Sequence, residues 1–71
     1  MTNAKRLTEK DKQIILALAD NNMNVDATSR ATHLHRNTID YRLFVIFRQT
    51  DLDPHNFYDL HKLVQLVKRE A

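Results

Sequence analysis

Between His35 and Leu43 the sequence reads His-Arg-Asn-Thr-Ile-Asp-Tyr-Arg-Leu, and almost every polar side chain in it has a natural partner on a nucleic acid. Arg36 and Arg42 can neutralise phosphate or pair with guanine, Asn37 can pair with adenine, and Thr38 and Tyr41 can bind phosphate oxygens. His35, at the start of the run, suits a helix cap or a phosphate contact. Ile39 and Leu43 are four residues apart and would face the opposite way, into a core. A turn with cationic and amide groups on one side and aliphatic anchors on the other is how a helix that enters a DNA groove is built. Asp40 does not fit a uniformly basic face. It could pair with Arg36 at i, i+4, reject certain bases, or lie beside the groove.

Other chemistry is poorly served. His33 and His35 make a His-x-His pair, but residues two apart on a helix point to different sides. With no cysteine in the chain, nothing completes a zinc site, so no metal is expected. His33 is read as covering the core, and His55 and His61 as surface residues. Ser29 is the only serine and nothing around it resembles a nucleophile elbow. At 71 residues the chain is one small domain that buries only roughly 60% of its unfolded surface. No deep substrate cavity or effector pocket of usual size is expected, and no enzyme or cofactor. The net charge of +2 favours polyanions weakly, but Arg30, Arg36, Arg42 and Arg48 cluster mid-chain. No apolar run reaches membrane-spanning length, and the polar start Met-Thr-Asn-Ala-Lys-Arg lacks the apolar core of a secretion signal, which predicts a cytoplasmic protein without membrane contact.

The elements that must position the motif are helices. The sequence has no glycine and one proline, which is hard to reconcile with hairpin turns. Thr8 suits the cap of a first helix, with Glu9 and Asp11 at its positive end; Ile14, Ile15, Leu18 and Ala19 form its inward stripe to about Asp20. Asn21, Asn22 and Asn24 form a polar break that tolerates left-handed backbone, and Asn24 caps a short second helix from Val25 to about Thr32. His33, Leu34 and His35 then make the turn of a helix-turn-helix. The third helix, the recognition helix, is expected over about 35–49, with Ile39, Leu43 and Ile46 as its core stripe. Thr50 to Pro54 ends it. A fourth helix starts either with Asp53 as cap and Pro54 in its first turn, or, preferably, with Asn56 as cap and Asp59 in its first turn. Phe57, Leu60, Leu63, Val64 and Val67 make its apolar face, with Lys68 and Arg69 at its negative end. The fold class is all-α: a small four-helix domain, a three-helical core containing a helix-turn-helix plus a C-terminal helix, with the core over about 8–69.

The His-Arg-Asn-Thr-apolar-x-Tyr-Arg-Leu stretch resembles the signature of the C-terminal helix-turn-helix domain of PucR-type regulators, the purine catabolism and carbohydrate diacid regulator family. The similarity extends over roughly residues 14–67, through the Asn-Asn-Met-Asn-Val run upstream and Thr50-Asp51-Leu52-Asp53 downstream. It implies that the domain sits at the carboxyl end of a longer regulator. The departures are informative. The family usually has glycine where Met23 and Asp51 stand, so two turns that would use positive φ fall to other residues or to a different geometry. Apolar residues are usual at Ser29 and Thr32, which predicts weaker packing of the second helix. Charged residues are usual where this chain has Phe44, Val45 and Phe47. Either the fourth helix covers Phe44 and Phe47, or the three form an exposed patch for self-association or for docking a sensory domain.

These readings converge on sequence-specific binding of double-stranded DNA by a bacterial transcriptional regulator, with a homodimer or an upstream sensory domain as further partner. The second helix would cross the backbone while the first turn of the third enters the major groove. Arg36 and Asn37 would lie nearest the bases, with Thr38, Tyr41 and Arg42 as phosphate clamps. The alternative is a helical protein-interaction or dimerisation module using Phe44, Val45 and Phe47 without DNA contact. An exposed aromatic patch beside an Arg36 face neutralised by acidic neighbours would favour it.

Overall fold

A computed structural model describes residues 7–70 of the chain, with nothing said of the Glu70 side chain; the polar amino-terminal stretch read above for targeting lies outside them. The described residues form four helices: α1 (Glu9–Asp20), α2 (Val25–Thr32), α3 (Arg36–Thr50) and α4 (Phe57–Glu70). Each boundary has a local cause. Thr8 and Asp11 close α1 reciprocally: the Asp11 N–H donates to Thr8 Oγ1 at 3.1 Å and the Thr8 N–H to Asp11 Oδ2 at 3.2 Å. At the other end the chain turns through Asn22 and Met23, both at positive φ (56° and 65°), while the Met23 N–H returns to the Leu18 carbonyl at 2.8 Å. This pairing satisfies the last carbonyls of α1 in the way a glycine-ended helix does, with asparagine in glycine's place.

Asn24 then caps α2 through its side-chain oxygen, which accepts the Ala27 N–H at 2.9 Å. Asn56 likewise accepts the Asp59 N–H at 3.1 Å and starts α4, so the cap lies at Asn56 and not at Asp53. Asp53 and Pro54 belong to the preceding turn, where the Asp53 carboxylate accepts the His55 N–H at 2.9 Å.

Ten apolar side chains make one core: Leu7 ahead of α1; Ile14, Ile15 and Leu18 from α1; Ile39, Leu43 and Ile46 from α3; Leu60, Leu63 and Val67 from α4. α1 is the central element, packing against each of the other three. α2 supplies no large apolar residue to this cluster. Its inner face is polar: Thr28 and Thr32 are buried, and each hydroxyl donates to the carbonyl four residues back at 2.8 Å. The buried hydroxyls are therefore satisfied within the helix, which lets a weakly apolar helix pack without unpaired groups.

Three expectations change. Phe57 belongs to the sequence's apolar stripe on α4 but is 66% exposed, its ring edge-on to Tyr58 at 5.4 Å. Leu60, three residues on, is the first residue of α4 to reach the core. His33 does not cover the core; it is exposed and left-handed (φ 61°), and it ends α2. Phe44 and Phe47 are not covered by α4, which lies chiefly along α1; they are 55% and 40% exposed, with Val45 half-buried beside them.

Candidate nucleic-acid interface

The turn between α2 and α3 is short because two side chains and one unusual backbone geometry hold it. His33 supplies the left-handed residue, and Ser29 Oγ donates to the Leu34 carbonyl at 2.6 Å, tying the last turn of α2 to the connection. His35 begins α3 as its cap, with Nδ1 accepting the Asn37 N–H at 3.0 Å. Leu34, half-buried, packs against the core and pins the turn from below. The outcome is a helix-turn-helix whose second helix presents its amino-terminal turn to solvent.

The exposed surface of α3 follows from its pitch. With Ile39, Leu43 and Ile46 buried, the opposite side must carry Asn37, Tyr41, Phe44 and Arg48, spaced four, three and four residues apart, and all four are exposed. Arg36, Asp40 and Phe47 flank this stripe on one side and are also exposed; Thr38, Arg42, Val45 and Gln49 flank it on the other and are half-buried. The structure thus brings Arg36, Asn37 and Tyr41 onto one accessible surface, with Thr38 at its edge.

The two arginines of the motif have different surroundings. Arg36 Nη1 donates to Asp26 Oδ1 of α2 at 2.8 Å, with both side chains 58% exposed. Asp26, rather than Asp40, is its partner. The contact uses one of five guanidinium donors and leaves the others directed outward. Arg42 departs further from expectation. Its Nε and Nη2 donate at 2.8 and 2.9 Å to the two oxygens of Asp11, whose side chain has no exposed surface. The pair occupies the Nε–Nη2 edge of the guanidinium, whose side chain keeps 23% of its surface exposed. It fixes α3 to the start of α1, because a carboxylate stripped of water is tolerated only when its oxygens are occupied.

Asp11, Asp26 and Ser29 are the residues that sequence reasoning missed. Asp11 read as a dipole residue, and nothing in sequence links it to a residue 31 positions on. Asp26 could have been suspected as an acidic residue in the first turn of the helix that faces α3. Arg48 was legible as a member of the Asn37 stripe eleven residues along.

A cleft of about 350 Å³ lies between the end of α1 and the start of α4, lined by Ala19, Met23, Phe57, Leu60, His61 and Val64. Its volume is near the low end of small-molecule sites, roughly 300–1,000 Å³, and it is an open groove and not an enclosed cavity. Its lining includes no residue of α2 or α3. Among the described residues, no group of three or more histidine, aspartate or glutamate side chains is placed to hold a metal, and no helix is long and apolar enough to cross a membrane.

No curated protein and no solved structure matches the chain. The family model of the PucR C-terminal helix-turn-helix domain matches residues 13–66, which spans everything from the first buried turn of α1 to the last turns of α4. With more than half of the sequence matched and the helix-turn-helix geometry in place, the chain belongs to the PucR C-terminal helix-turn-helix family.

Proposed function

We propose that this domain is the sequence-specific DNA-binding module of a bacterial transcriptional regulator, acting on the chromosome in the cytoplasm. The observation that carries the reading is the exposed first half of α3, where Arg36, Asn37 and Tyr41 share one accessible surface at the end of a short, locked turn. α2 would lie across the phosphate backbone, with α3 in the major groove. Arg36 and Asn37 would meet base edges, and Thr38 and Tyr41 phosphate oxygens; His35 contributes by capping. Arg42 acts from behind, by setting the angle of α3. A single helix-turn-helix reads one half-site, so pairing of two copies, directly or through an upstream sensory domain, would complete an operator.

Titration of salt against binding to duplex DNA tests this. Each phosphate neutralised should contribute a slope of about −0.9 to log K against log salt. Affinity that is absent at low salt, or indifferent to salt, would overturn the proposal.

A second reading has specific support. Phe44 and Phe47 are exposed and Asp26 partly neutralises Arg36, which is what a protein-interaction module anchored on Phe44, Val45 and Phe47 requires. Two measurements separate the readings: a wild-type chain that self-associates through Phe44 and Phe47 and retains no duplex favours the module, and salt-sensitive retention of duplex by the wild type favours the groove.

A further inference from the structure

Phe44 stands in the middle of the stripe that runs Asn37, Tyr41, Phe44, Arg48. It is three residues beyond Tyr41, 55% exposed, and the Arg48 guanidinium carbon lies 5.8 Å from its ring centroid. The ring keeps 55% of its surface in water even with Arg48 against it, so a ligand that covered it would gain that burial. Its neighbours on that surface are Asp40, Tyr41 and Arg48, polar or charged, and Phe47, an apolar side chain 40% exposed. The apolar area is therefore one or two rings, far short of the roughly 800 Å² per partner that a stable protein interface buries. A second copy seated on Phe44 would also have to cover Arg48 and Tyr41.

The floor of the major groove offers a matching contact. Thymine is the only base that presents an apolar group there, its 5-methyl, and an aromatic ring is one of the groups that packs on it. The stacked Arg48 cation adds what a backbone phosphate attracts, so ring and guanidinium together suit a thymine and its flanking phosphate. At about 1.5 Å per residue, Phe44 lies roughly 10 Å along α3 from Asn37, within the length of one half-site.

We infer that Phe44 is a specificity-determining residue that reads a thymine methyl in the major groove, held in place by Arg48. The inference rests on the proposed DNA-binding function and extends the reading surface about two turns beyond Arg36 and Asn37. It gives the aromatic residue, unusual for the family at this position, a task in selecting sequence.

The test uses duplexes selected by the wild-type chain from a random pool. In the preferred duplex each thymine is replaced in turn by deoxyuridine, which removes the methyl and nothing else. One replacement per half-site, within about three base pairs of the position sensitive to Asn37→Ala, should weaken binding about fourfold, the factor expected for burying one methyl-sized group. In Phe44→Ala that same replacement should have no effect, whereas in Asn37→Ala the fourfold penalty should persist. The Phe44→Ala comparison is made on a chain whose circular dichroism matches wild type and which still binds the unmodified duplex, and Phe44→Leu, which keeps an apolar contact, should retain part of the penalty. Deoxyuridine that is neutral at every position, or a penalty that survives in Phe44→Ala, overturns the inference while leaving DNA binding intact. Sedimentation showing a wild-type dimer that Phe44→Ala dissociates, with DNA selectivity unchanged, overturns it in favour of a second copy. Retention of no duplex at all by the wild type is the separate failure of the DNA-binding proposal itself.

Discussion

Arg36 and Arg42 stand six residues apart on one helix, and each donates to an aspartate at 2.8 Å, yet the two pairs do different things. The Arg36–Asp26 pair lies in water, where ion pairs contribute about 0–1 kcal/mol and exchange readily. The Arg42–Asp11 pair is bidentate around a carboxylate with no exposed surface, so losing either partner strands a charge. Six residues at 3.6 per turn rotate the side chain by roughly 240°, from the solvent face of α3 to its junction with α1. Angular position decides which arginine is available to a ligand and which belongs to the frame. Residue type and closeness in sequence do not.

The sharpest way to break that contrast is to remove the buried arginine. Arg42→Ala should lower stability by about 3–5 kcal/mol, enough to unfold a domain of this size at ordinary temperature. Thermal denaturation followed by circular dichroism reads it, and a melting curve close to wild type would show that the pair is not structural. Leu43→Ala, on the adjacent core position, should cost about 2–5 kcal/mol by leaving a cavity, which separates loss of packing from loss of charge. Arg36→Ala and Asn37→Ala should leave stability within about 0.5 kcal/mol of wild type while each removes about 1–3 kcal/mol of sequence discrimination. Competition binding between a selected duplex and a random one measures this, and equal losses on both would remove these residues from the base-reading role. The smallest effect belongs to the turn: His33→Gly relieves a left-handed residue and should raise stability by about 1 kcal/mol in chemical denaturation. A neutral or negative change would mean that the imidazole makes an interaction worth as much as the backbone strain.

Much of the fold is legible because its signals are local. Thr8, Asn24 and Asn56 cap where a short polar side chain precedes a periodic apolar stretch, and the stripe Ile39, Leu43, Ile46 lies as its spacing requires. Met23 and Asp51 occupy positive φ, as two positions with glycine in the family suggest. What was not legible depends on tertiary placement. Phe57 has the right spacing for the core, yet it is 66% exposed where Leu60, three residues on, is buried. Arg42 matches the motif as well as Arg36 does, and only the position of Asp11 separates them. Leu7 had a readable signal, an apolar residue just before a cap.

Asp11 accepts the N–H of the cap residue Thr8 together with the Nε–H and Nη2–H of Arg42, so one carboxylate belongs to two elements. Helix ends ordinarily fray at little expense, independently of the rest of a domain. Here the first turn of α1 cannot open without releasing the middle of α3, which makes the two segments one cooperative unit. In hydrogen exchange, the amides of Lys12 and Gln13 should open with nearly the full unfolding free energy of the domain and not at the fast rate of a frayed terminus. α3 thereby draws its rigidity from the first turn of another helix.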